Sequence, residues 1–242
     1  MKKKIIILIP AFNEEKTISR VIQKIPNLKE FEKEIVVIDD GSKDSTVRNA
    51  LKAGAKVISN NKNRGLGYSF KKGLEFAIRN GGDIIVNLDA DDQYDPKYIP
   101  LMIRRLINKD LNLILGNRLL DDKEIGHNIL KRYGNKVISI FISKVLLRCD
   151  EVYDIQSGFR VFDRKLAKFL LFYLSAKYTY TQEMMILSIL KEFKIDQIPI
   201  RFKKRTQGSS RLIRSPIVYL LKIILIIGKT FIFFKPRFKK YS

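Results

Sequence analysis

Five consecutive residues, Asp89-Ala90-Asp91-Asp92-Gln93, close a short apolar run, Ile84–Leu88. The run is rich in Ile and Val and reads as a buried strand. Three carboxylates within four positions repel one another, so a chain that keeps them together uses them. Side chains two apart at a strand end project the same way. Asp89 and Asp91 can therefore share one divalent cation, with Gln93 as a neutral oxygen donor. Hard oxygen ligands suit Mg²⁺ or Mn²⁺, and Mg²⁺ is commonly held by one or two carboxylates together with substrate phosphates. Taken alone, the stretch is equally an acidic solvated turn before Asp95-Pro96, since such turns are common at strand ends.

The elements that must position this cluster alternate. Lys4–Ile9, Glu34–Asp39, Ala55–Ser59, Ile84–Leu88 and Leu111–Gly116 read as strands. Helices are expected near 16–25, up to 53, 68–79 and 97–107. This alternation predicts an α/β fold, a mostly parallel sheet with helices on both faces, whose ligands bind beyond the carboxyl ends of the strands. Four polar loops fall at that edge: Pro10–Glu15, Asp39–Ser42, Asp89–Gln93 and Asn117-Arg118. Together they describe a cleft for a nucleotide and a metal. A nicotinamide-type turn is excluded, because the first strand ends in Pro10-Ala11-Phe12-Asn13-Glu14-Glu15, and Phe70 stands where a third glycine would follow Gly65 and Gly67. No Walker-type sequence occurs. Further along, a helix is expected over about 128–147, a loop at Asp154–Arg160 followed by a short strand, a helix at Thr181–Phe193 and a strand at Lys194–Phe202.

The 242 residues carry a formal charge of +22, unevenly spread. Residues 1–100 have 18 Lys/Arg and 14 Asp/Glu, whereas residues 101–242 have 29 and 11. No acid follows Asp196. Such a basic end suggests a polyanionic partner, either nucleic acid or an anionic membrane surface. Against nucleic acid, no recognition motif is present and the Asp89–Asp95 cluster repels phosphate unless it holds a metal. The single histidine, His127, argues against a histidine-based zinc site or triad, and the single cysteine, Cys149, excludes an internal disulfide. Lys2–Ile9 superficially resembles a signal peptide, but its apolar run is too short and polar residues replace a cleavage site. Residues Pro216–Phe234 are strongly apolar, interrupted by Lys222 and Lys229 seven apart on one helical face with Ser215. That pattern predicts an amphipathic helix lying in the headgroup region rather than spanning, followed by a basic ending suited to anionic lipid.

The motifs resemble those of the family 2 glycosyltransferases of GT-A fold, in the polyprenyl-phosphate (dolichyl-phosphate) mannose or glucose synthase branch. The residues that carry the resemblance are Ile9–Glu15, Asp39–Ser42, Asn63–Gly67, Asp89–Gln93, Gly116–Arg118, Asp154–Arg160, Gln182-Glu183 and Arg205–Arg211, in family order over about residues 4–212. The resemblance implies an inverting transferase that moves a hexose from a nucleoside-diphosphate sugar, of GDP-mannose or UDP-glucose type, to a polyprenyl phosphate at the membrane surface. A related possibility is transfer to a cell-surface glycan or lipid-linked oligosaccharide.

By the same resemblance, Pro10, Phe12, Glu14, Ile38 and Asp40 hold the nucleoside, and Asp89, Ala90 and Asp91 complete the donor site. Asp89, Asp91 and Gln93 bind Mg²⁺ or Mn²⁺. Arg118, Arg132, Arg205 and Arg211 hold the donor diphosphate or the acceptor phosphate, with Arg211 standing where Lys is usual. Asp154 is the candidate base, although an anionic phosphate oxygen hardly needs one, and Glu183 positions the sugar or an arginine. Asp92 is expected to be the outward, solvated acid. A catalytic domain is expected at 1–212 and a membrane-associating tail at 213–242. Relatives in this branch often continue into transmembrane helices, so a chain stopping at Ser242 is expected to be peripheral, at the cytoplasmic face.

Overall fold

The structure, a computed structural model, describes residues 2–120, 136–146, 149, 151–175, 179–203 and 228. A seven-stranded sheet forms its centre, in the order β3-β2-β1-β4-β6-β5-β7. Strands β1 (Lys4–Ala11), β2 (Glu32–Asp39), β3 (Lys56–Ser59) and β4 (Ile84–Asn87) are mutually parallel. β5 (Leu113–Asn117) runs parallel to β7 (Ile195–Pro199), and between β4 and β5 lies β6 (Arg160–Asp163), antiparallel to both.

β1 is a continuous apolar run because both of its faces are covered. Ile5, Ile7 and Ile9 enter one core, packed with Ile18, Val21 and Ile22 of α1 (Ile18–Gln23), Ala50 of α2 (Thr46–Lys52) and Met102, Ile103 and Leu106 of α4 (Ile99–Asn108). Ile6 and Leu8 enter the other, with Phe70, Leu74 and Ala77 of α3 (Leu66–Arg79), Leu166 and Leu170 of α5 (Arg164–Tyr173) and Met184–Leu187 of α6 (Tyr180–Leu190). Truncating any of the larger of these side chains to Ala removes about 2–5 kcal/mol.

The alternation expected over residues 4–117 is present, with boundaries shifted by a few residues. Two features differ from expectation. The helix Arg164–Tyr173 is not among the expected elements; its start is capped by Asp163, whose Oδ1 accepts from the Leu166 amide at 2.7 Å. The last strand ends at Pro199 rather than Phe202. Of the helix expected over 128–147, residues 136–140 are α-helical and Phe141–Leu146 continue as a π-helical turn. No helix among the described residues is long and apolar enough to cross a membrane. The tail at 213–242 lies outside them except for Gly228.

One consequence of the topology bears directly on the site. Since β6 is antiparallel, it is its beginning, Arg160, that pairs with Asn87 of β4 and Leu115 of β5. The loop before β6, residues 154–159, thereby reaches the edge where the parallel strands end. β7 is parallel to β5, so residues 200–203 leave at that same edge.

Candidate active site

The edge splits into two adjoining regions. The first is a cavity of about 750 Å³ beyond β2 and β3, lined by Phe12, Asp39, Gly41, Ser42, Lys43, Val47 and residues 59–63. Two loops are pressed together to form it. Gly41 has φ +78°, and a Cβ there would sit 2.7 Å from the Lys62 carbonyl carbon, so only glycine permits the approach. Asp40 holds the second loop: its carboxylate accepts from the amides of Arg64 (2.9 Å) and Gly65 (2.8 Å) and from Asn60 Nδ2 (2.9 Å). Asp40, expected to touch a nucleoside, therefore shapes the cavity wall, and Asp39 is the acid in the lining, its Oδ1 accepting from the Ser42 amide at 3.1 Å.

Of the other expected nucleoside residues, Phe12 lines the cavity. Pro10 and Ile38 are paired across β1 and β2 behind it. Glu14 sits in the turn before α1, where its amide donates to Thr46 Oγ1 at 2.7 Å and its carboxylate accepts from Thr17 Oγ1 at 3.0 Å. Asp39 and Ser42, from a loop expected at the cleft, line it individually, and residues 59–63 add a wall that local spacing does not mark. A pair of acids at a strand end offers two candidates, and sequence alone does not say which one turns inward.

The second region is the end of β4. Ala90 is buried there, and Asp89, Asp91 and Gln93 are partly exposed. The carboxylate of Asp89 is seated against Gly158. A Cβ at position 158 would lie 2.5 Å from Asp89 Oδ2 and 2.7 Å from Cγ, so a larger residue displaces the acid. Gly158 is itself fixed, its amide donating to Tyr94 Oη at 2.9 Å and its carbonyl accepting from Asn87 Nδ2 at 2.6 Å. Asp91 Oδ1 accepts from the Gln93 amide at 3.2 Å, closing an Asx turn. Gln93 Nε2 donates to the Lys203 carbonyl at 2.9 Å, which leaves its oxygen as the atom a cation would use.

Asp92 corrects the expectation of a solvated acid. It adopts φ +61°, its side chain is 9% exposed, and Lys24 Nζ donates to both its oxygens, at 2.6 and 2.7 Å, while Arg20 reaches it at 3.4 Å. Asp92 thus latches the turn to α1.

Behind the turn lies a buried charged layer. Arg118 Nε and Nη2 donate to Asp154 at 2.7 and 2.9 Å, and its guanidinium lies 5.0 Å over the Phe202 ring. Burial pushes the Asp154 carboxyl up, but attraction to Arg118 and hydrogen bonds from it prevail, and the net shift is downward. Burial likewise opposes the Arg118 charge, and Asp154 more than restores it. A fully buried carboxylate locked in this fork is a poor proton acceptor. The same two hydrogen bonds hold the Arg118 guanidinium in one orientation. Burial also pushes the Tyr94 and Tyr180 hydroxyls up, so both stay protonated. Glu183, buried on α6, accepts from the Ser175 amide (2.9 Å) and hydroxyl (2.7 Å), which ties Ser175 to α6. Arg132, Arg205 and Arg211 lie outside the described residues.

The donor set fits a hard divalent cation: two carboxylates two apart, one held in a glycine cradle, with an amide oxygen beside them. Among the described residues no three His, Cys, Asp or Glu side chains converge on one point.

Comparison with known proteins places this arrangement. The model of the family described as Glycosyl transferase family 2 matches residues 6–171. The chain belongs to glycosyl transferase family 2. The glycosyltransferase is 33% identical over 250 residues to a UDP-N-acetylglucosamine–dolichyl-phosphate N-acetylglucosaminyltransferase of Methanococcus voltae, covering 94% of this chain and 98% of the relative. It is also 35% identical over 202 residues to an uncharacterized protein of Methanocaldococcus jannaschii, covering 83% and 82%. Among solved structures it is similar to glucosyl-3-phosphoglycerate synthase of Mycobacterium tuberculosis in complex with Mn²⁺, UDP and phosphoglyceric acid. That match has a TM-score of 0.70 and 21% identity, and covers 94% of this chain and 78% of that one. The likeness establishes the GT-A fold of the glycosyltransferase.

Proposed function

We propose that this glycosyltransferase transfers a hexose or N-acetylhexosamine from a nucleoside-diphosphate sugar to the phosphate of a polyprenyl lipid at a membrane surface, inverting the anomeric centre. The observation that carries this reading is the juxtaposition, on one sheet edge, of a cavity of about 750 Å³, the Asp89–Asp91–Gln93 stretch and the oriented Arg118. The named Methanococcus relative, similar over almost its whole length, supports a lipid-phosphate acceptor.

In this reading Asp39, Phe12 and the 59–63 wall hold the nucleoside, with Asp40 keeping that wall in place. Asp89, Asp91 and Gln93 hold Mg²⁺ or Mn²⁺ beside the diphosphate. When bound, the cation takes up charge on the departing diphosphate. Arg118 presents its remaining N–H groups to phosphate, prevented from swinging by Asp154 and Phe202. Pre-set donors of this kind act without reorganising at the moment of reaction. The attacking phosphate oxygen is already anionic, so no residue needs to remove a proton from it. Arg132, Arg205 and Arg211 would join in binding the acceptor phosphate. Residues 1–212 form the catalytic unit and 213–242 the membrane-associating tail, attached peripherally on the cytoplasmic face. The chain's net positive charge then meets anionic lipid rather than nucleic acid.

The test is a donor screen with purified full-length protein, polyprenyl phosphate and Mg²⁺ or Mn²⁺, following release of nucleoside diphosphate. GDP-mannose, UDP-glucose and UDP-N-acetylglucosamine are the donors to compare. Release that needs both lipid phosphate and metal is expected; release unaffected by chelator contradicts the cation site. Removing residues 213–242 should abolish co-sedimentation with anionic vesicles.

A further inference from the structure

Arg160 has no part in the reading above, yet it is the largest fully buried side chain among the described residues. It begins β6, directly across the sheet from Asn87, two residues before Asp89. All three guanidinium nitrogens are spent on neutral main-chain oxygens: Nε donates to the Ser157 carbonyl at 2.9 Å, Nη2 to Ile155 at 2.9 Å and Nη1 to Thr181 at 2.8 Å. Among the described residues it has no ion-pair partner. Burial draws its pKa down to about 10, which still leaves it a cation at neutral pH, and the carboxylates of Asp154 and Asp89 are among the groups that favour that charge.

Burying an arginine without a carboxylate is costly, and such a group is retained where its geometry matters. Only a guanidinium offers a rigid planar fork able to reach three carbonyls from one point; lysine is a point charge and glutamine has two donors. Two of the carbonyls, Ile155 and Ser157, bracket the loop that ends in Gly158, and the third lies in the first turn of α6. Gly158 is where Asp89 rests. The chain of contacts therefore runs from the Arg160 fork to the 155–158 loop, to Gly158, to the Asp89 carboxylate.

We propose that Arg160 is a positioning residue for the cation site: its three-carbonyl fork fixes the Ile155–Gly158 platform at the height that sets Asp89 for metal binding. This deepens the function proposed above and rests on it. The role is confined to the cation half, since the nucleoside cavity shares no residue with the platform.

The probe is UDP, titrated calorimetrically against the full-length protein with and without Mn²⁺, beside thermal melting of each variant. Arg160→Lys keeps the charge and removes the fork. Gly158→Ala leaves the fork and pushes on Asp89 directly. Both variants are expected to lose at least about tenfold of the Mn²⁺-dependent gain in UDP affinity, with metal-free binding held within about twofold of the native protein, a split that general core damage does not produce. An undiminished Mn²⁺ gain in either variant overturns the proposal, as does an equal loss of metal-free and metal-dependent binding in Arg160→Lys. If the native protein gains nothing from Mn²⁺ with either UDP or GDP, the cation reading itself fails. A native gain that survives in Arg160→Lys removes only the role of Arg160.

Discussion

The two halves of the sheet edge solve different problems. On the side formed by β1, β2 and β3 the two loops are joined by neutral partners and main-chain amides: Asp40 is satisfied by two amides and an asparagine, and Gly41 lets the loops touch. It is a shaped cavity. The side formed by β4, β6 and β5 has charge sealed beneath it: Asp154 in the fork of Arg118, Arg160 on three carbonyls, and two tyrosines held protonated by burial. Shape suffices to select a flat base. Holding a diphosphate, a cation and an attacking phosphate requires fixed charges that do not relax toward one another. The difference teaches that binding and chemistry can be damaged separately.

The charged side of the edge is most sensitive at Asp91. Asp91→Ala should lower transfer by about 10²–10³-fold, the scale for loss of one preorganised electrostatic group, while the melting temperature stays close to native. Nucleoside diphosphate release and calorimetry check this, and a variant that retains chelator-resistant activity contradicts it.

Asp154→Asn comes next and acts on stability as well. It strands the buried Arg118 charge, for which about 3–5 kcal/mol is expected, read by urea denaturation at neutral pH. The pH dependence follows from the lowered carboxyl. With its folded value below the ordinary aspartate value of about 3.9, its contribution is complete above that pH and is lost as pH falls below it toward the folded value. The gap between native and Asp154→Asn should therefore narrow below about pH 4; a gap that widens there contradicts the ion-pair assignment.

On the cavity side, Asp40→Ala leaves the Arg64 and Gly65 amides without their acceptor. About 1–3 kcal/mol is expected, appearing as weaker nucleotide binding with the same proportional gain from Mn²⁺. The smallest effect belongs to Asp92→Asn, which loosens the latch to Lys24 and Arg20. Both basic partners are substantially exposed, so at most about 1 kcal/mol is expected, seen as a small rise in the Mn²⁺ concentration giving half-maximal activity. Should Asp92→Asn exceed Asp91→Ala, the assignment of latch and ligand is reversed.

Much of the fold and part of the site are legible in residue type and spacing. The Ile-rich run of β1 signals a strand covered on both faces, whichever core each side chain enters. The Asp89–Gln93 stretch stands out because clustered carboxylates repel. The unread parts have physical reasons. Helix Arg164–Tyr173 follows β6 without a turn: Asp163 is both the last residue of the strand and the N-cap of the helix, so no connecting loop marks the boundary. Asp40 binds the 60–65 loop while Asp39 lines the cavity, because adjacent residues at a strand end point opposite ways and only the position of that loop distinguishes them. Asp92 reads as solvated until α1 is known to carry Lys24 to it. Arg160 looks like any surface arginine, since nothing local marks it as buried.

Local chemistry alone thus determined the alternating α/β elements, the acidic turn at the end of β4 and the basic bias of the second half. These depend on residue type and spacing within about ten positions. Tertiary structure alone decided that β6 enters antiparallel, which carries residues 154–159 to the cleft and brings Gly158 beneath Asp89 and Arg118 against Asp154. Those contacts join segments 36 and 69 residues apart, and only the assembled sheet supplies the register that makes them neighbours.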